Sequence, residues 1–113
     1  MSGRVVLISG GTSGIGLAAA SLFLQAGDRV ILMGRSAARG QSAVDELSAA
    51  GQVSFIAGDV SSRQDCARVV ERVLNENGQL DVLVSSAGVY LESAIEDMTE
   101  DQLDEILAVN VKG

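Results

Sequence analysis

Proline is absent from this chain, cysteine occurs once, at Cys66, and aromatic residues make up only 3% of it. Each shortage excludes something. A single thiol rules out an internal disulfide and fits a reducing compartment. With so few aromatics, the core must be built from Val, Ile, Leu and Ala, which dominate the 47% of apolar residues. Basic residues are scarce as well: eight Lys and Arg against fifteen Asp and Glu leave a net charge of −7. Such a surface repels phosphate backbones, so nucleic acid is excluded as a partner. An anionic small molecule is not, because backbone amides at a helix start hold phosphate against an unfavourable net charge. No stretch approaches the ~20 apolar residues of a membrane span. The start, "MSGRVVLIS", lacks the apolar run of a signal peptide. No membrane partner and a cytoplasmic location are therefore expected.

What is present is glycine, 13 residues of it, and two alternating periods. Short apolar, β-branched runs at 4–9, 29–33, 53–57 and 81–84 read as buried strands. Between them lie helical patterns. Residues 14–27 are closed by Gly27, and 36–51 open on Ser36 as N-cap and end at Gly51. In 61–78, Ser61 and Gln64 stand at capping-box spacing, and Cys66, Val69, Val70, Val73 and Leu74 follow the i, i+3, i+4 rule. Cys66 on that stripe reads as a core thiol. Thr99 and Gln102 open a fourth helix with Leu103, Ile106 and Leu107 on one face. The order is βαβαβαβα, without linker, repeat or low-complexity tract. Strands this apolar are buried on both faces, which predicts an α/β fold: a doubly wound parallel sheet of four strands with four helices. Ligands of such folds sit at the carboxyl ends of the strands, near the switch in strand order.

The first strand-to-helix junction, "ISGGTSGIGL", sets Gly10, Gly14 and Gly16 as G-x-x-x-G-x-G, with hydroxyls at Thr12 and Ser13. Gly10 lets the chain turn off the strand. Gly14 and Gly16 carry no Cβ, so a pyrophosphate can approach the first helical amides. The register Gly14-Ile15-Gly16-Leu17-Ala18-Ala19 also matches G-x-G-x-x-A, but its first glycine lies four residues beyond the turn. A glycine-rich turn without a ligand would need fewer glycines and no hydroxyls.

Here the sequence resembles the short-chain dehydrogenase/reductase family, whose mark is T-G-x-x-x-G-I-G after the first strand; this chain reads "SGGTSGIG", with Ser9 for Thr. Further motifs of the family follow in order through all 113 residues: "GDV" at 58–60, "SSAGVY" at 85–90 for N-N-A-G, and "NVKG" at 110–113. The resemblance implies a Rossmann-like NAD(P)-binding portion, residues 1–113, of a longer single-domain oxidoreductase. It implies a first cofactor turn made of Gly10, Thr12, Ser13, Gly14, Ile15 and Gly16. It assigns Arg35 and Ser36 to the adenosine ribose, Asp59 and Val60 to the adenine, and Ser86, Ala87 and Gly88 to the far ribose. Gly34 stands where NAD-preferring members carry an acid, and Arg35 follows it. A guanidinium grips a 2′-phosphate bidentately, so NADP is expected, with NAD as the alternative.

By the same resemblance Asn110 is the catalytic asparagine, which feeds protons through a water. The family's Ser and its Tyr-x-x-x-Lys have no counterpart. Position 94 is Ala, and the sole lysine is Lys112. Tyr90 therefore lines the substrate side or merely packs. The implied function is NADP-dependent hydride transfer between nicotinamide and a small carbonyl or alcohol substrate. In the intact protein this would occur in a homo-oligomer, with this piece inactive alone and no metal required. A non-catalytic dinucleotide-binding module and a sugar-nucleotide epimerase or dehydratase relative are the competing readings. The doubly wound order also leaves strand 81–84 with an open, apolar outer edge, so self-association of this piece is expected.

Overall fold

The computed structural model describes residues 3–10, 14–85 and 88–91. Strand β1 (Val5–Ser9) leads into helix α1 (Gly14–Gln25), then β2 (Arg29–Gly34), α2 (Ala37–Leu47), β3 (Val53–Ala57), α3 (Arg63–Asn77), β4 (Val82–Ser85) and β5 (Gly88–Leu91). The sheet order is β3-β2-β1-β4-β5. β1 to β4 are parallel to one another, with Leu7 opposite Ile31 on one side and Leu83 on the other. The chain thus moves outward from β1 to β3 and then returns to the far side of β1. The switch in strand order falls between β1 and β4, as a doubly wound sheet requires.

Alternation along the strands divides the core in two. Val5, Leu7, Ile31, Met33 and Leu83 pack with Cys66, Val69, Val70 and Val73 of α3. Val6, Ile8, Val30, Leu32 and Val82 pack with Ala20 and Leu24 of α1 and Ala43 and Leu47 of α2. All five residues of β1 are buried, which is why the first strand reads as an unbroken apolar run. Cys66 is fully buried, as its stripe predicted, and its thiol donates to the Val60 carbonyl at 3.4 Å.

Two features depart from the sequence expectations. Helix α3 is capped by Ser62, whose hydroxyl accepts from the Asp65 amide at 3.2 Å, and not by Ser61. The Ser61 hydroxyl is committed elsewhere, to the Asp59 carboxylate. The second departure is β5. It pairs antiparallel with β4, Val82 opposite Leu91 and Ser85 opposite Gly88, so the outer edge of β4 is covered and not open. Only two residues separate the strands, and so short a connection makes this pairing entropically cheap. Tyr90 stands opposite Leu83 in that ladder. The fourth helix expected from Thr99, Gln102, Leu103, Ile106 and Leu107 falls outside the described residues.

Helix α2 approaches the sheet through Gly40. A Cβ at Gly40 would overlap the Phe55 ring of β3. Gly40→Ala gains about 1 kcal/mol of helix propensity, but it drives a half-buried Phe side chain out of contact, at about 2–3 kcal/mol. The clash wins. The variant should lose about 1–2 kcal/mol, read as a lower urea midpoint with an unchanged slope. Adding Phe55→Ala should abolish any further cost of the alanine at position 40. An unaltered midpoint in the single variant would show that α2 shifts freely.

Candidate nucleotide site at the carboxyl ends of the strands

Three neighbouring parallel strands end on glycine. Gly10 follows β1, Gly34 closes β2 and Gly58 follows β3. The Gly10 amide donates to the Met33 carbonyl at 2.9 Å, and the Gly58 amide to the Gly34 carbonyl at 2.9 Å. The ladder therefore runs one step past β1 and β3. Gly10 adopts φ +75°, a left-handed conformation that costs other residues roughly 1–2 kcal/mol. Space is not its constraint, since a Cβ there would touch nothing within 4 Å. The same is true at Gly14, the first residue of α1. Among the described residues, nothing crowds the place a Cβ would take at either glycine. That is what a phosphate needs from a helix end.

At the end of β2, Arg35 is exposed. Ser36 is the N-cap of α2, φ −94° and ψ 111°, and its hydroxyl accepts from the Arg39 amide at 3.2 Å. The oxygen is occupied as an acceptor, and its O–H remains able to donate.

At the end of β3, Asp59 sits in a dense set of hydrogen bonds. Its amide donates to Oδ2 of Asp65 at 2.8 Å, and its carbonyl accepts from the Ser62 amide at 2.9 Å. Its Oδ1 accepts twice from Ser61, from the amide at 2.9 Å and from the hydroxyl at 2.6 Å. Oδ2 has no partner among the described residues. The Ser61 hydroxyl, then the Ser61 amide, hold the Asp59 carboxyl below its ordinary value, against a smaller opposing desolvation; the nearby Arg35 charge adds to the lowering. Val60 packs its side chain on the α3-side core. Arg68 reaches across from α3 to donate to the Ala57 carbonyl at 2.8 Å, with its guanidinium 3.7 Å from Asp65.

The sign of the Asp59 shift fixes a pH expectation. A carboxyl whose folded value is lowered stabilises the fold fully above its unfolded value, about 3.9, and that contribution fades as pH falls through the lower folded value. From pH 5 to 8 the group is ionised in both states. Any ligand contact made by Asp59 should then be flat across that range. The ratio of wild-type to Asp59→Asn dissociation constants should stay constant from pH 5 to 8. A ratio that changes near pH 6 would mean another group is being read.

Of the residues expected from sequence, the fold brings Gly10, Gly14, Gly16, Arg35, Ser36, Asp59 and Val60 to one end of the sheet. Gly88 begins β5 beside Ser85 at the same end. Thr12, Ser13, Ser86, Ala87, Asn110 and the Ile15 side chain lie outside the described residues. Ser61, Asp65 and Arg68 were missed. The D-x-S spacing of Asp59 and Ser61 is a turn signature that could have flagged the first of them. Arg68 carries no local signal, because its contact is with a strand eleven residues back.

A family model described as short chain dehydrogenase matches residues 4–113. An uncharacterized oxidoreductase of Thermotoga maritima is 39% identical over 112 residues, 98% of this chain and 44% of that protein. The solved L-sorbose reductase of Gluconobacter frateurii, complexed with NADPH and L-sorbose, superimposes with TM-score 0.74 at 31% identity, over 98% of this chain and 45% of its own. A metagenomic short-chain oxidoreductase in complex with NADP gives TM-score 0.70 at 33% identity, over 74% of this chain and 38% of its own. The chain spans less than half the length of these relatives.

Proposed function

The chain belongs to the short-chain dehydrogenase family, and from that premise we propose that it is the cofactor-binding portion of an NADP-dependent oxidoreductase acting on a small carbonyl or alcohol. The carrying observation is a juxtaposition at one sheet end. A glycine-led helix start after β1, an exposed guanidinium after β2 and a carboxylate with one oxygen unpartnered among the described residues after β3 stand at the same end of the sheet. These features match a ligand with a pyrophosphate, a phosphorylated ribose and an amino-bearing base.

The residues divide the work by their chemistry. Gly10 turns the chain so that the first amides of α1 point at the pyrophosphate, with Thr12 and Ser13 as further donors. Gly14 and Gly16 keep that approach free of side chains. Arg35 holds the 2′-phosphate by charge-assisted hydrogen bonds, and Ser36 adds an O–H donor. Asp59 accepts from the adenine amino group through Oδ2, and Val60 offers apolar contact to the ring. Ser86, Ala87 and Gly88 line the ribose at the reacting end. Bound nicotinamide supplies the hydride acceptor or donor. Asn110 is proposed to hold a water in the proton path. Relatives bound to NADPH or NADP support the cofactor choice. The acid that protonates substrate oxygen is not supplied by this stretch, so turnover by it alone is not expected. Assembly of the whole enzyme as a homo-oligomer is part of the same reading.

Fluorescence titration of the purified protein with NADPH and NADH is the test. Saturable NADPH binding, at least about tenfold tighter than NADH, is expected. No binding of either dinucleotide would overturn the proposal.

A further inference from the structure

An aspartate carboxylate left to itself turns about χ2, which is broad and roughly two-fold, and offers both oxygens to solvent. Asp59 is not left to itself. Both donors that reach it, the amide at 2.9 Å and the hydroxyl at 2.6 Å, come from Ser61 and converge on the same oxygen, Oδ1. The residue's backbone is fixed independently, by the Asp59 amide on Asp65 and the Ser62 amide on the Asp59 carbonyl. With the backbone held and one oxygen doubly bonded, the plane of the carboxylate is set, and Oδ2 is the only oxygen with no partner among the described residues. Resting on the cofactor reading above, we propose that Ser61 is a positioning residue for adenine recognition: it orients the Asp59 carboxylate so that Oδ2 is presented to the adenine amino group.

The hydroxyl, not the amide, is the part that substitution can remove. In Ser61→Ala the amide bond to Oδ1 persists, so the turn after β3 keeps its shape. Ser61 is exposed and does not cap α3, because Ser62 does. The variant's folding equilibrium constant should therefore stay within about two- to threefold of the wild type. What it loses is one of two restraints on the carboxylate plane. Binding then has to restore an orientation that the wild type holds in advance, which is a loss of preorganisation. Ser61→Thr keeps both donors and serves as the conservative control.

The experiment measures equilibrium binding of NADPH and of its hypoxanthine counterpart, in which the 6-amino group is replaced by an oxo group. Wild type, Ser61→Ala, Ser61→Thr and the double variant Asp59→Asn/Ser61→Ala are compared with Asp59→Asn alone. Ser61→Ala should weaken NADPH by about three- to tenfold and should not weaken the hypoxanthine dinucleotide. Ser61→Thr should match the wild type. In the Asp59→Asn background the serine change should add no loss, since a positioning residue acts only through the group it positions. Equal weakening of both dinucleotides, no weakening of either, or an undiminished serine effect without the Asp59 carboxylate would each overturn this proposal while leaving the cofactor reading intact. Absence of NADPH binding by the wild type would overturn both.

Discussion

Replacing Arg35 with alanine should weaken NADP(H) binding by roughly ten- to a hundredfold while moving NAD(H) by no more than about twofold. The estimate follows from the charge-assisted bond, worth about 1.5–3 kcal/mol, with each 1.4 kcal/mol a factor of about ten. Two observations support Arg35 as the source of the proposed discrimination. Its side chain is exposed, and the preceding residue is Gly34, so no carboxylate stands at the end of β2 to bind both ribose hydroxyls or repel a phosphate. The effect should shrink as salt rises, since an exposed charge pair is screened. An exposed arginine that caps nothing contributes little to folding, so the unfolding free energy should stay within about 0.5 kcal/mol of the wild type. Gly34→Asp is the complementary change and should lower NADP(H) affinity with Arg35 still in place. Equal losses for the two dinucleotides in Arg35→Ala would move the 2′-phosphate contact elsewhere.

The parts of this molecule that were legible in sequence are those decided locally. The first strand could be found because every one of its side chains is buried, which favours the apolar run Val5 to Ile8. Ser36 could be named as a cap because capping is a contact over three residues. Gly10 could be named because a left-handed turn has few alternatives to glycine. The misplaced cap of α3 shows where local reading stops. Ser61 and Ser62 are both competent caps by type, and the choice is made by the Asp59 carboxylate, which takes the first of them. The strand β5 was illegible for a different reason. "GVYL" carries no pattern that says whether it runs on from the turn or folds back, and the antiparallel ladder on β4 decides it. In the site, chain order located the pieces after each strand. Arg35 comes near enough to Asp59 for its charge to be felt only because β2 and β3 are neighbours, and the role proposed for Ser61 rests on where two of its donors converge.

The opposite end of the sheet holds the largest expected stability effect. Arg4→Met should destabilise the fold by about 2–3 kcal/mol, whereas Asp28→Ala should cost only about 1–2. The asymmetry comes from burial. The Asp28 side chain is 0% exposed, and that of Arg4 is 35% exposed. Nε and a terminal nitrogen of Arg4 donate to the two Asp28 oxygens at 3.2 and 2.8 Å, the only hydrogen bonds this carboxylate makes among the described residues. Removing the arginine strands a charge away from water. Removing the aspartate leaves a guanidinium that turns to solvent, losing its place 5.8 Å over the Phe23 ring but no solvation. A fully buried pair broken on one side costs about 3–5 kcal/mol; the exposure of Arg4 reduces that. Against a total stability of about 5–15 kcal/mol, the change corresponds to a fall of roughly 8–13 °C in Tm for a domain of this size. Methionine keeps most of the apolar stem, so the loss reports the stranded charge more than missing packing. The double variant Arg4→Met/Asp28→Asn removes that charge and should recover about half of the deficit. Position separates this prediction from the first. Arg4 precedes β1 and Gly10 follows it, a distance of roughly 20 Å along an extended strand. Arg4→Met should therefore lower Tm and leave the NADP(H) dissociation constant of the folded protein unchanged, the reverse of Arg35→Ala. The pair is a fastening between the start of β1 and the end of α1, where the Asp28 amide also donates to the Phe23 carbonyl and the Gly3 amide to the Gly27 carbonyl, both at 3.1 Å. If Arg4→Met weakened the cofactor as much as it weakened the fold, α1 would have to transmit the loss along its length to the first amides at Gly14, and the two ends of the sheet could no longer be treated as independent.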